Sequence, residues 1–459
     1  MYTDLSKNKC GLYIHIPFCV RKCNYCDFCS VGIGDGDPEI TDRLVSSLIR
    51  ELEQTLQDIS GGIDSSMQEM QLNIGHDHGG TRFDTPCTSD NASEEQLNIT
   101  RDHADRFSGF TSVFIGGGTP SILPVKQMER LLTAINLSID PDYISNRDSI
   151  KTTGDQIDIP VRSIANKTEF TIECNPGTVD REKLLLYREY GVNRLSFGLQ
   201  SVNEDELKKL GRIHDYDAFI NSYDLARKIG FDNINIDLMS AIPGQTPESF
   251  RHTLEEVISL EPEHISVYSL IIEEGTPFYD KYHGCSPIDE DTDRQLYEMT
   301  HEMLTSAGYL HYEVSNYARL KNDENSYVCK HNLNYWRRGN YIGIGPAASS
   351  HINGMRRTNI NDITEYINRI ETDKSPYDEV EYLTSDQQLI EAIYLGLRTS
   401  EGIDFRILSD EFSFDIQRKL LPDLLDYWRR EKLVNISDDK LVLTPLGFWF
   451  SDSIISQII

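Results

Sequence analysis

The amino-acid sequence predicts an α/β fold, a partial (β/α)6 barrel followed by a mainly helical, winged-helix-like C-terminal domain. Three observations carry that expectation. From residue 11 to about residue 270, short β-rich apolar runs alternate with helical patterns, the signature of repeated βα units and a parallel sheet. Two polar stretches interrupt this rhythm. Past residue 380 long strands stop, and helices lead into a small β-like pair.

The strands are expected at residues 12–16, 112–115, 169–173, 194–197, 233–238 and 264–270, with helical stretches such as 41–57 and 180–190 between them. Six strands suit an open or partial barrel, and they assign residues 1–270 to the core. The interruptions, at about 59–107 and 141–166, are poor in aromatics and rich in Gly, Ser, Asn and Asp. In the first, Gln71-Leu72-Asn73-Ile74 returns as Gln96-Leu97-Asn98-Ile99, each copy followed by His and Asp and then by an Arg-Phe pair. Two copies are too few for a solenoid. The stretch reads as a duplicated surface insertion and not as a metal site. Residues 271–380 extend the core. Residues 381–459 hold helices at 385–397 and 416–431 and a β-like pair at 433–436 and 440–443. No basic face marks this module for DNA, so packing or partner contact is its expected role.

A formal charge of −30 over 459 residues argues against a general nucleic-acid binder, which needs basic surface to displace counterions from phosphate. The longest apolar runs, 12–18 and 265–272, fall short of the roughly 18 residues that span a bilayer. A strand-like run by Leu12 leaves no room for a signal peptide. Four of nine cysteines fall within residues 19–29, too clustered for a disulfide framework and suited to metal ligation in a reducing compartment. A cytoplasmic protein is expected. Cys10, Cys87, Cys174, Cys285 and Cys329 read as ordinary small residues.

Tyr13-Ile14-His15-Ile16 runs through Pro17-Phe18 into Cys19, with Cys23 four residues on and Cys26 three further. A structural zinc site closes with four protein ligands, whereas three thiolates on one loop can hold three corners of a [4Fe–4S] cubane and leave one iron open. That iron can chelate the amino and carboxylate groups of S-adenosylmethionine. Cys29 reads as a bystander, because reaching the same cluster would require it to fold back over the loop. Gly116 to Gly118 follow a strand and let backbone approach a ligand, although a tight turn would need them too. Glu173, Gln200 and Asp237 sit at or near the ends of successive strands, on the carboxyl rim where parallel sheets bind ligands.

Together these residues resemble the radical-SAM family that includes oxygen-independent coproporphyrinogen III oxidase and, more closely, the haem chaperones of the HemW type. The resemblance covers nearly the whole chain outside the insertions. It rests on Tyr13 to Cys19, Tyr25-Cys26-Asp27-Phe28, Gly116-Gly117-Gly118-Thr119-Pro120-Ser121, Glu173-Cys174-Asn175-Pro176-Gly177-Thr178, Gly198-Leu199-Gln200-Ser201, Leu210-Gly211-Arg212-Ile213-His214, Asp237-Leu238-Met239, Pro243-Gly244-Gln245-Thr246 and His331-Asn332-Leu333-Asn334-Tyr335-Trp336. It implies that Tyr13, Gly117 and Glu173 contact S-adenosylmethionine at the cluster, and that Tyr25, Gly118, Thr119, Gln200, Arg212 and Asp237 line the same cavity. Taken without the family, Arg212 reads equally as a surface ion pair.

Two features favour the chaperone branch. The oxidase pattern has a cysteine two residues after the third ligand, where this chain has Phe28, and it has an extension ahead of its first strand. The HNxxYW-type segment at His331 to Trp336 marks the chaperones and offers a histidine for haem iron, although a lone histidine beside aromatics is usually a packing residue. Where the family carries Gly-Ala-His, this chain has Gly345-Pro346-Ala347-Ala348-Ser349-Ser350, with His351 next. The resemblance implies haem, acceptor haem proteins and an electron donor such as a flavodoxin or ferredoxin as partners, with a homodimer as an option. The competing expectation is oxidative decarboxylation of coproporphyrinogen III.

Overall fold

The structure is a computed structural model, and it describes residues 10–32, 38–60, 109–139, 168–322, 325–414, 422–437 and 439–458. The insertion at 141–166, nearly all of that at 59–107 with its repeat and Cys87, and the start of the helix expected at 416–431 lie outside the described residues.

Six parallel strands form in sequence order: β1 (Cys10–Ile16), β2 (Phe110–Gly117), β3 (Glu169–Cys174), β4 (Arg194–Gln200), β5 (Ile234–Ser240) and β6 (His264–Ser269). Each pairs with the next. Their side chains are buried almost without alternation, as expected where helices cover one face and the barrel interior the other. The connecting helices begin at side-chain caps that the sequence supplies. Asp180, Asn203 and Asp215 each accept from a first-turn amide, and Thr246 forms a capping box with Ser249. Gly211 ends the helix Glu204–Leu210 in the left-handed region, turning the chain so that Arg212 follows at the barrel mouth.

The core extension holds more strands than the sequence pattern revealed. Asn316–Asn322 pairs antiparallel with the free edge of β6, while Tyr341–Ile344 pairs parallel with the free edge of β1. Ser349–Ile352, Met355–Asn359 and Tyr377–Tyr382 continue the sheet antiparallel beyond it. Both edges of the six-stranded parallel sheet are thus paired, and the edges of the whole sheet move out to Asn325–Ser326 and Tyr377–Tyr382. Between the two edges the chain passes through the helix Lys330–Trp336, which packs against the first residues of β1, β2 and β3. That helix floors the barrel.

A second cluster of buried side chains, including Ile393, Leu397, Trp428, Leu441 and Phe448, belongs to the C-terminal part. Helices Ser385–Gly396, Phe405–Phe412 and Pro422–Arg430 pack with strands Ile403–Asp404, Val434–Ile436 and Lys440–Leu443, a winged-helix-like arrangement. The expected β pair is therefore a three-stranded sheet, completed by a two-residue strand too short to leave a periodic signal.

Candidate functional site

A cavity of about 430 Å³ opens at the carboxyl ends of the parallel strands. Cys19, Cys23, Cys26, Tyr25, Gly117, Gly118, Thr119, Glu173, Gln200, Arg212 and Asp237 all line it. Tyr13 and His331 do not.

The cysteine loop is held by its other residues. Asn24 donates through its backbone to Leu210 O at 2.9 Å and through its side chain to Lys209 O at 2.8 Å. Arg21 donates to Gly211 O at 2.6 Å. His15 bridges the Cys29 carbonyl, 2.7 Å away, and the Tyr13 hydroxyl, 3.0 Å away. Tyr13 therefore serves the loop indirectly, and its expected contact with S-adenosylmethionine is not part of the cavity wall. The loop closes against β2 at Gly118, whose N–H donates to Ile16 O while the next amide donates to Phe18 O. A Cβ at Gly118 would lie 2.6 Å from Phe18 O, and one at Gly117 would strike the His15 ring at 2.5 Å. Close packing of two strands alone requires glycine at both positions.

Two side-chain donors point at the thiols. The Thr119 hydroxyl is 3.5 Å from Cys19 Sγ, and Arg212 Nη1 is 3.5 Å from Cys23 Sγ. Asn175 positions both, donating to Thr119 Oγ1 at 2.6 Å and accepting from Arg212 Nη2 at 2.7 Å. Arg212 Nη2 also reaches Gly198 O, and its Nε is buried without a partner among the described residues. Arg212 is thus a cavity cation and forms no ion pair among the described residues. Burial raises the Cys19 and Cys26 thiols above their ordinary range, with Thr119 opposing this at Cys19 and the Phe28 amide opposing it at Cys26. Cys29 points elsewhere, its Sγ 3.2 Å from Asn361 O.

Two acidic groups, Glu173 and Asp237, line the same cavity. Glu173 Oε2 accepts the Gly117 N–H at 3.0 Å, and burial together with the charge of Asp237 pushes its carboxyl up to about 8. Burial raises Asp237 as well, opposed by hydrogen bonds from Asn235 at 2.8 Å and Ser196 at 2.9 Å. Gln200 has a left-handed φ of 72° where the register between β4 and β5 slips, an uncommon conformation for a residue other than glycine. Asn175, Ser196, Asn235 and His15 were not singled out by sequence reasoning. Only Asn175 left a signal, by following the end of β3 at a Pro-Gly turn.

The donor set fits an iron–sulfur cluster. Three thiols share one wall, and two hydrogen-bond donors face their sulfurs, one of them the cationic Arg212 guanidinium, as bound thiolates require. The carboxylates in the same cavity suit a cationic ligand carrying an amino group.

His331 lies at the other end of the barrel, on the floor helix. Its Nδ1 is 2.9 Å from Ser112 Oγ and its Nε2 2.9 Å from Tyr335 OH, and its ring stacks on Phe114. Burial and the charge of Arg194 push its imidazole down to about 3. Glu169 accepts the backbone N–H groups of Lys330 and His331 at 3.0 and 3.1 Å. This differs from the expected haem ligand beside two aromatics. Both ring nitrogens are engaged, so iron ligation would first have to break one of these bonds.

The radical SAM superfamily model matches residues 89–257, and the HemN C-terminal domain model matches residues 383–450. The haem chaperone HemW of Bacillus subtilis is 30% identical over 438 residues, covering 95% of each chain. That of Escherichia coli is 33% identical over 340 residues, covering 74% of this chain and 69% of the other. Among solved structures, coproporphyrinogen III oxidase (HemN) from Escherichia coli, a radical SAM enzyme, covers 100% of this chain and 91% of its own with a TM-score of 0.69. At 19% identity that likeness is one of fold.

Proposed function

The chain belongs to the HemW family of haem chaperones, and from that premise we propose that it binds haem and delivers it to acceptor haem proteins. Similarity running along 95% of both chains to a haem chaperone is the observation that carries this reading. We assign a [4Fe–4S] cluster to Cys19, Cys23 and Cys26, and S-adenosylmethionine to the cavity wall of Gly117, Gly118, Thr119, Glu173, Gln200, Arg212 and Asp237, with Tyr25 beside it. When bound, the two supply one-electron chemistry at the sulfonium.

The protein's own groups prepare that site. Thr119 and Arg212 stabilise negative charge on sulfur, Asn175 holds both of them, and Glu173 offers a carboxylate to an amino group. A cation arriving there lowers the Glu173 carboxyl again and draws a proton off it. A reducing cytoplasmic setting, a flavodoxin or ferredoxin as electron donor and a homodimer complete the proposal. No helix among the described residues is long and apolar enough to cross a membrane.

The test is anaerobic cluster reconstitution followed by haem titration, with a parallel assay of coproporphyrinogen III decarboxylation in the presence of reductant and S-adenosylmethionine. Saturable haem binding and transfer to an apo-acceptor without decarboxylated product are expected. Product formation that disappears in Cys19→Ala would establish the oxidase instead.

A further inference from the structure

Thirteen large apolar side chains are exposed among the described residues, and five of them line the one cavity at the barrel mouth. Scattered apolar residues on a surface need no explanation, but a ring of them around a single opening does. Val20 and Phe28 come from the cysteine loop, Ile213 from the turn after Arg212, and Tyr268 and Ile271 from the end of β6 and the segment beyond it. Phe28, Ile213 and Ile271 are 59, 55 and 68% exposed. Three separate elements thus aim apolar groups at water around one rim. Two cations stand beside them. Arg21 and Lys22 spend their side chains on the carbonyls of Gly211 and Phe28, and neither has an ion-pair partner among the described residues. Asp27 and Glu273 line the same mouth.

We infer that this collar is where haem is received: the macrocycle lies on Phe28, Ile213 and Ile271 across the mouth of the cluster cavity, with its propionates toward Arg21 and Lys22. The inference rests on the chaperone reading. A planar apolar ring matches the apolar collar, and its two carboxylates match Arg21 and Lys22, which, unlike the acidic Asp27 and Glu273 at the same mouth, carry the complementary charge and have no ion-pair partner among the described residues. His331 offers no competing seat in this conformation, being buried on the barrel floor with both nitrogens engaged. Haem in the collar would also roof the cavity, shielding a bound cluster from solvent.

The experiment compares full-length wild type, Ile213→Ser/Ile271→Ser, Arg21→Ala/Lys22→Ala and His331→Ala. Haem titrations are followed by absorbance, iron and sulfide content is measured after reconstitution, and the rate at which the cluster bleaches in air is recorded with and without haem. The Ile213 and Ile271 positions lie outside the cysteine loop, so cluster content is expected to match wild type. Haem affinity is expected to fall at least tenfold in the apolar double variant and several-fold in the cationic one, while His331→Ala stays within about twofold. Haem should slow bleaching in wild type and lose that effect in the double variant. Unchanged haem affinity in both collar variants would overturn the inference, as would a loss confined to His331→Ala. Collar variants that keep haem but fail in delivery to an acceptor would likewise overturn it, marking the collar as a protein-docking surface. If wild type itself binds no haem, the chaperone reading fails first.

Discussion

The two ends of the barrel are built on opposite terms. At the floor, His331, Ser112, Tyr335, Glu169 and the amides of Lys330 and His331 satisfy one another. A hydrogen-bonded line then climbs from the Cys329 amide through Tyr312, His264 and Asn235 to Asp237. At the mouth, three thiols face a cavity and apolar side chains face water, while each end also buries one arginine Nε, of Arg194 or Arg212, that has no partner among the described residues. Polar groups paired with each other confer rigidity, whereas groups left with spare capacity confer affinity for whatever supplies the missing partner. The same strands therefore run from a closed, hydrogen-bonded end to an end that opens on a cavity.

The sharpest break in this comparison is Cys19→Ala. Removing one of three thiolates is expected to abolish retention of the cluster, read as loss of iron, sulfide and visible absorbance, with thermal stability of the apo-chain nearly unchanged. The floor should respond the opposite way. Glu169→Ala leaves the buried His331 amide and the part-buried Lys330 amide without their acceptor and is expected to cost about 2 kcal/mol in denaturant unfolding. Equal stability would mean that the floor helix is not held by that carboxylate.

His331→Gln probes the same end through pH. The His331 imidazole is held at about 3 in the folded chain, below the roughly 6.5 of an unfolded histidine. The unfolded state takes up the proton first, so its contribution is complete above about pH 6.5 and is lost as pH falls toward 3. The substitution should flatten stability between about pH 4 and 6 by at most about 1.4 kcal/mol per pH unit. His311 and His214, pushed down to about 3 and about 4, keep part of the slope in the variant. Thr119→Val is the mildest test, at the mouth. It removes the hydroxyl beside Cys19 and should cost at most about 1 kcal/mol, while moving the cluster's reduction potential to a more negative value.

Much of this architecture was legible in the residues themselves. The six barrel strands follow from alternating βα patterns, and the observed strands contain or nearly coincide with the expected runs because most of their residues are buried on both faces, which leaves a continuous apolar run in the sequence. The cysteine spacing, the glycine run and the strand-end positions of Glu173 and Asp237 likewise foretold residues that line one cavity, since residues on one short loop or one sheet rim are brought together by local geometry. Only the tertiary structure decided the rest. Strands after residue 300 read as an extension because pairing across β6 and β1 depends on partners hundreds of residues away, which no local period records. His331 stands four residues from Tyr335 in a motif that suggests a ligand, yet the passage of the chain between two sheet edges carries it under the barrel and spends both nitrogens there. The apolar collar, drawn from three separated segments, exists only once the fold has closed.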